Sequence, residues 1–131
     1  MVRGRLAVVL LAGCLVVPGC GGGGTAPAAC RSPSEAVMPG AAGTLDESAT
    51  GSYCLAVGQV IDVFLHAPTP AQPWSPIASS HPEILAPQRT GVLTAPVGVT
   101  PGIFAARRAG TAELSSTRPG GPSWSVTIVV S

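Results

Sequence analysis

The sequence predicts a small antiparallel β-sandwich of about seven strands. Apolar residues after position 44 come in short runs with a period of two, and Gly/Pro turn signals separate the runs. No window has the 3.6-residue period of an amphipathic helix. The chain has 131 residues, with 17 Gly, 14 Pro and only 10% charged residues. This composition excludes a coiled coil or a large multidomain enzyme and leaves room for one small domain.

Residues 1–19 have the pattern of a bacterial lipoprotein signal peptide. Two arginines precede an aliphatic run at residues 6–17, which is shorter than the roughly 20 residues needed to span a bilayer. Small residues then precede a cysteine twice, as Leu-Ala-Gly-Cys14 and as Val-Pro-Gly-Cys20. Both resemble the lipobox, in which a signal peptidase cuts before a cysteine that receives diacylglycerol. We expect a lipid anchor on the extracytoplasmic face of the cell membrane.

The choice between the two cysteines favours Cys20. Cys14 has the better local match, but cleavage there leaves a short apolar run and an odd set of cysteines. Cleavage at Cys20 places four glycines directly after the anchor, where a flexible linker is expected. An ordinary secretory leader, with the cysteines buried as free thiols, is the alternative.

The other two cysteines are predicted to form a disulfide. Export places Cys30 and Cys54 in an oxidising compartment, and their 24-residue separation fits no CxxC zinc spacing. Such a bridge would stabilise the fold by roughly 3 kcal/mol on the chain-entropy model. Two unpaired buried thiols are the alternative.

Composition divides the mature chain into a tether and a domain. Residues 20–43 are mostly Gly, Ala, Pro and Ser, with too little apolar surface to offset the entropy of ordering them. All five aromatic residues lie later. We therefore predict a lipidated tether over 20–43, pinned part-way along if Cys30 is bridged, and a β-sandwich over 44–131.

The strands of the domain follow from alternation. Five runs are predicted strands, and two weaker candidates lie between them. In the second run Ile61, Val63 and Leu65 share one face, with Asp62 on the other; in the last, Trp124 begins the buried face. The five runs are 53–57, 60–65, 103–106, 111–115 and 125–130, and the weaker candidates are 84–86 and 91–94.

No catalytic, metal or nucleic-acid site emerges from the residue types. His66 and His81 are each predicted to be a solvated loop histidine. Two histidines far apart in the sequence cannot supply the roughly four ligands of a structural zinc site. Asp62, Glu83 and Glu113 occur singly in or beside strands and are predicted to be solvated. Without its leader the chain has five Arg against six Asp and Glu, so no basic patch is left for nucleic acid. We expect a non-enzymatic protein with no cofactor and no metal.

Three segments resemble small exported immunoglobulin-like domains of high-GC Gram-positive bacteria. They lie at 44–65, 103–114 and 124–130, where Phe-x-Ala, Gly-Thr-Ala-x-Leu and Val-Thr-x-Val-Val occur in that order. The resemblance implies an immunoglobulin-like sandwich and bears on fold more than on function.

The same layout is similar to chagasin-type inhibitors of papain-like cysteine proteases, whose three loops plug the protease cleft. Pro68, Thr69 and Trp74 match the family's first loop motif, and Arg118 and Pro119 match its third. Ala67, Ala71 and Gly120 replace the motif's Asn, Gly and aromatic residue, unless Trp124 substitutes for the last. The family's Gly-x-Gly-Gly loop corresponds to residues 97–102. By this resemblance the matching residues would contact a protease, although all could equally be ordinary turn residues.

Two functions follow as expectations. The main one is a membrane-anchored binding or structural module of the cell envelope, with an envelope protein as its partner. The alternative is a chagasin-like protease inhibitor with degenerate loops. The inhibitor would require the loops at 67–73 and 118–122 to converge at one end of the sandwich, because a plug needs adjacent rigid loops.

Overall fold

The computed structural model describes residues 29–89 and 95–131, which fold as an all-β sandwich. The predicted signal peptide, Cys14, Cys20 and the strand candidate at 91–94 lie outside these residues. The described part has no helix that is long and apolar enough to cross a membrane. Its eight strands are β1 (Gly43–Asp46), β2 (Ser52–Leu55), β3 (Val60–His66), β4 (Ala78–Ser79), β5 (Leu85–Gln88), β6 (Val99–Ala106), β7 (Gly110–Ser116) and β8 (Trp124–Val130).

The strands form two four-stranded sheets. One has the order β1-β3-β6-β5 and the other β2-β8-β7-β4. The predicted sandwich is confirmed, and its central pairings are antiparallel as expected. One edge strand of each sheet differs, because β1 pairs with β3, and β2 with β8, in parallel, whereas the edge strands β5 and β4 pair antiparallel. Since the chain crosses to the opposite sheet after β1 and back again after β2, β3 runs in the same direction as β1.

The core lies between the faces that alternation assigns to the interior. Ile61, Val63 and Leu65 on β3 have no exposed surface, and Trp124 on β8 is buried across the sandwich from them. Each large apolar side chain buried in this way contributes about 1.5–3 kcal/mol relative to leaving it in water. The period-two pattern therefore carries most of the information that fixes the fold.

The residues before β1 lie against the sheets and form a strap, defined here as residues 29–42. Arg31 pairs with Tyr53 beside β2, and Ser34 pairs with Thr44 on β1. A disulfide joins Cys30 to Cys54, as predicted. The strap thus covers the open edge between β1 and β2, so each of these two edge strands has a neighbour on both sides.

Asp62 is buried, contrary to the prediction that it is solvated. It points away from the core on the outer face of β3, yet it is only 1% exposed, and its Oδ2 atom has no hydrogen-bond partner. Burial raises the pKa of this carboxyl, an effect that the backbone N–H of Met38 in the strap only partly offsets. Sequence reasoning missed this because the strap that covers the residue was assigned to a tether.

We predict that Asp62→Asn stabilises the domain. Folding raises the pKa of the Asp62 carboxyl, so the ionised carboxyl favours the folded state less than the protonated one does. The free energy of unfolding of the wild type should therefore fall as the pH rises above the ordinary pKa of Asp. At pH 7 the variant should unfold with a free energy about 1 kcal/mol higher than wild type, measured by urea denaturation. The difference between the two free energies of unfolding should be smaller at pH 4. Exposed Glu113→Gln on β7 is the control; a less stable Asp62→Asn protein would contradict the account.

Candidate functional site: the loop end of the sandwich

Strand direction brings several connections to one end of the sandwich. β3 and β7 both finish there, while β6 and β8 both begin there. We call this the loop end and define it as residues 67–73, 95–98 and 117–123. The opposite end comprises residues 56–59, 80–84 and 107–109. The two loops that an inhibitor would need therefore lie at the same end.

Trp74 ties the first of these loops to both sheets. Its side chain is 7% exposed, and its indole Nε1–H donates to the carbonyl of His66 at 3.1 Å. The hydroxyl of Thr100 on β6 donates to the Trp74 carbonyl at 2.9 Å. The guanidinium of Arg118, from the β7–β8 loop, stacks on the indole with its central carbon 4.8 Å from the ring centroid. This cation–π contact joins the first and third loops directly.

A second junction lies just after Trp74. The Ser75 N–H donates to the Thr117 carbonyl at 2.8 Å, and the Thr117 N–H donates to the Ser75 hydroxyl at 3.0 Å. The hydroxyl of buried Ser116 donates to the Ser75 carbonyl at 2.6 Å. Because backbone groups of both loops take part, the loops are held in one arrangement at their bases.

The second loop is joined to the first by a backbone hydrogen bond. The Ala67 N–H donates to the Gly98 carbonyl at 2.8 Å, and the Val99 N–H donates back to the Pro96 carbonyl at 3.0 Å. Gly98 has a φ of 88°, a left-handed conformation that glycine adopts without the penalty of a side chain. The turn at residues 96–99 is thus closed and anchored to the first loop.

The residues matched to the inhibitor motifs differ in accessibility. Pro68, Thr69 and Pro119 are exposed, and Arg118 is half-buried against the indole. Trp74 is buried, so in this structure it supports the loop and offers no free ring to a partner. The structure brings four of the five residues into the loop end, and Trp74 directly follows its first segment.

Trp124 does not replace the missing aromatic residue of the third loop. It is 4% exposed, and its Nε1–H donates to the carbonyl of Asp46 at 3.1 Å, across the sandwich. Its ring belongs to the core cluster.

One pair of titratable groups near the loop end is formed by Glu47 and His66. Glu47 accepts hydrogen bonds at its Oε2 atom from the His66 N–H and faces the His66 Nδ1, each at 3.0 Å. Burial raises the pKa of Glu47, but these hydrogen bonds outweigh it, so the net pKa is lowered. Both histidines are exposed, as predicted, and His81 similarly faces Glu83. Among the described residues, no three His, Cys, Asp or Glu side chains are grouped to hold a metal ion.

A cleft of about 500 Å³ lies under the strap. Arg31, Thr44 and Tyr53 are among its lining residues, and the Arg31 guanidinium donates to the Tyr53 hydroxyl at 2.8 Å. The stacking of Arg31 on the Tyr53 ring, at 4.8 Å, occupies one face of that ring. Because Arg31 and Tyr53 bond to each other, we infer that these polar groups of the cleft hold the strap in place.

Comparison with known proteins supports the fold. No family model and no curated protein matches the sequence. The structure is similar to a cysteine protease inhibitor from Entamoeba histolytica, with a TM-score of 0.52 and 14% identity, over 67% of this chain and 93% of that one. More distant are amebosin in solution (TM-score 0.44, 13% identity, 67% and 96%) and PbICP-C in complex with falcipain-2 (0.39, 12%, 79% and 98%). The likeness to the Entamoeba histolytica inhibitor, at 14% identity, shows a shared immunoglobulin-like fold and nothing further.

We predict that Arg118→Ala destabilises the domain by about 0.5–1 kcal/mol, because it removes the cation–π contact with Trp74. The free energy of unfolding, followed by tryptophan fluorescence in urea, measures the effect. Arg107→Ala removes an exposed arginine at the opposite end and should be neutral. Equal stability of the two variants would show that the stacking does not hold the loops.

Proposed function

We propose that this protein is an inhibitor of papain-like cysteine proteases, and that its loop end enters the protease cleft. The observation that carries the proposal is the junction of the first and third loops through Trp74 and Arg118. The fold likeness to the Entamoeba histolytica inhibitor supports it more than it supports a purely structural envelope module.

Fixed loops favour this mode of binding. A stable inhibitor complex buries about 800 Å² on each partner. Loops that are ordered before binding lose little conformational freedom on association, and Pro68, Pro70 and Pro73 restrict the first loop further. The exposed residues Pro68, Thr69 and Pro119 are the surface that would meet the protease. No bond to substrate is made or broken in this mechanism, since the loops only occlude the cleft.

The alternative proposal is a cell-envelope binding module that inhibits no protease. One observation favours it: Trp74 and Trp124 are both buried, so neither supplies the exposed aromatic anchor that often dominates interface energy. In that case the loop end would bind an envelope protein instead.

Protease titration distinguishes the two proposals. The unlipidated mature chain should inhibit papain or cathepsin L, and Thr69→Arg should raise the inhibition constant at least tenfold by placing a bulky charge at the loop end. Thr69 is exposed, so the substitution should leave the fold intact. Thr111→Arg adds the same side chain at an exposed position on β7, near the opposite end, and should change little. No inhibition by micromolar wild-type protein with an intact fold would leave the envelope module.

We also propose that Cys20 carries a lipid that anchors the protein to the extracytoplasmic face of the cell membrane. With Cys30 and Cys54 paired, lipidation at Cys20 leaves no unpaired cysteine in the mature chain, whereas cleavage at Cys14 would leave one. Ala29 lines a shallow depression together with Thr50 and Gly51, so the described chain begins beside the β1–β2 turn. Eight residues separate Cys20 from Ala29 and extend at most ~28 Å. The start of the domain would therefore stay within about that distance of the membrane surface.

Mass spectrometry of the mature N-terminus tests the anchor. We expect a diacylated N-terminal Cys20 in protein extracted from membranes, and release of the protein into the soluble fraction by Cys20→Ala. A Cys14→Ala variant should remain membrane-bound. An acylated Cys14, or an N-terminus without lipid, would refute the assignment.

A further inference from the structure

The strap buries little of its own surface. None of its residues, 29–42, is buried, whereas every strand longer than two residues contains at least one buried residue. Apolar burial supplies most of the favourable free energy of folding, so the strap adds little of it. A segment with few buried contacts opens locally more easily than the core does.

Backbone hydrogen bonds and one disulfide hold the strap against the sheets. The Cys54 N–H donates to the Arg31 carbonyl at 2.9 Å, and the Thr44 N–H donates to the Ser34 carbonyl at 3.1 Å. Water replaces such bonds when a segment opens, so their net contribution is small. The Cys30–Cys54 disulfide keeps an opened strap beside β2, which lowers the entropy it gains on opening and favours its return.

Asp62 on β3 opposes the closed position of the strap. Its carboxyl is 1% exposed, its Oδ2 atom has no hydrogen-bond partner, and the backbone N–H of Met38 in the strap bonds to it. One amide N–H does not replace the hydration that an ionised carboxylate loses on burial. Since opening of the strap would return the carboxylate to water, ionisation of Asp62 favours the open position.

The charged groups around Asp62 do not offset this cost. Among the strands that flank β3, β6 has no titratable residue, and the one on β1, Asp46, has the same sign as Asp62. The strap carries Glu35, which also has that sign, and Arg31, which is engaged with the ring and hydroxyl of Tyr53.

The other titratable group on β3 is also engaged elsewhere. His66, at the end of the strand, faces Glu47 at 3.0 Å. The ionised carboxylate of Asp62 therefore depends on the position of the strap for its hydration.

We propose that the strap is a releasable segment, which the Cys30–Cys54 disulfide keeps closed and which ionised Asp62 opens once that disulfide is reduced. A dithiol would supply the reduction. Its two sulfurs form a disulfide and give up two electrons and two protons, the Cys30–Cys54 bond breaks, and each cysteine becomes a thiol. Both cysteines are partly exposed, so a dithiol can approach them.

Release would lengthen the tether. The 14 residues of the strap extend at most ~49 Å, in addition to the ~28 Å between Cys20 and Ala29. Where the proposed lipid anchor holds, reduction would let the domain move farther from the membrane surface. The release itself depends neither on the anchor nor on protease inhibition.

Amide hydrogen exchange followed by NMR tests the release on the unlipidated mature chain at pH 7, oxidised and reduced with dithiothreitol. The amides of Ala42, Thr44 and Cys54 report on the strap, because each bonds to a strap carbonyl or belongs to the strap itself. Reduction should speed their exchange at least tenfold and change the amides of β7 less than twofold. In the reduced state Asp62→Asn should slow the strap amides at least threefold relative to wild type, and exposed Glu113→Gln should not.

Three results would overturn the proposal. The first is equal exchange of the strap amides in the oxidised and reduced chains. The second is an acceleration that extends to β7, because the strap and the sandwich would then open together. The third is a reduced Asp62→Asn chain that exchanges as fast as reduced wild type. With no protease or membrane in the sample, each result is independent of the proposed inhibition and of the lipid anchor.

Discussion

The indole of Trp74 is the interaction on which the loop end depends. The indole N–H donates to the carbonyl of His66, the last residue of β3, and the Trp74 backbone carbonyl accepts a hydrogen bond from the Thr100 hydroxyl on β6. The ring supports Arg118, which lies in the β7–β8 loop of the opposite sheet. A residue that follows one strand thus connects both layers of the sandwich. If the ring were removed, a buried cavity and an unpaired carbonyl at His66 would remain, and the first loop would lose its link to the third.

A second constraint on the fold comes from the strap. The Cys30–Cys54 disulfide and the Arg31–Tyr53 pairing fasten residues 29–42 over the edge between the sheets. Because this edge includes β1, whose Asp46 carbonyl accepts the Trp124 N–H, the strap also restrains the start of β8. The Cys30–Cys54 disulfide thereby compensates for the limited apolar core of this small domain.

The sequence predicted the parts of the fold that alternate strongly. The long runs became β3, β6, β7 and β8, and the faces assigned to Ile61 and its neighbours were right. The weaker run near Ile84 became β5, Leu85–Gln88. The short strands β1 and β4 were missed: β4 has only two residues, Ala78–Ser79, and β1 has a single large apolar residue, Leu45, so neither shows a period.

The candidate site was less predictable than the fold. Trp74 and Arg118 were singled out through a family resemblance, but nothing in the sequence shows that one stacks on the other. Asp62 was misjudged because its burial depends on the strap, which composition alone assigns to a tether.

Hydrogen–deuterium exchange of the unlipidated chain, alone and with inactivated papain, tests most directly the claim that a fixed loop end enters a protease cleft. In the free protein, the amides of Ala67 and Ser75, which bond across loops, should exchange slowly. Papain should add protection at residues 67–73 and 117–123 and none at 56–59, 80–84 or 107–109. Fast exchange of those two amides in the free protein, or protection confined to the opposite end, would contradict the account.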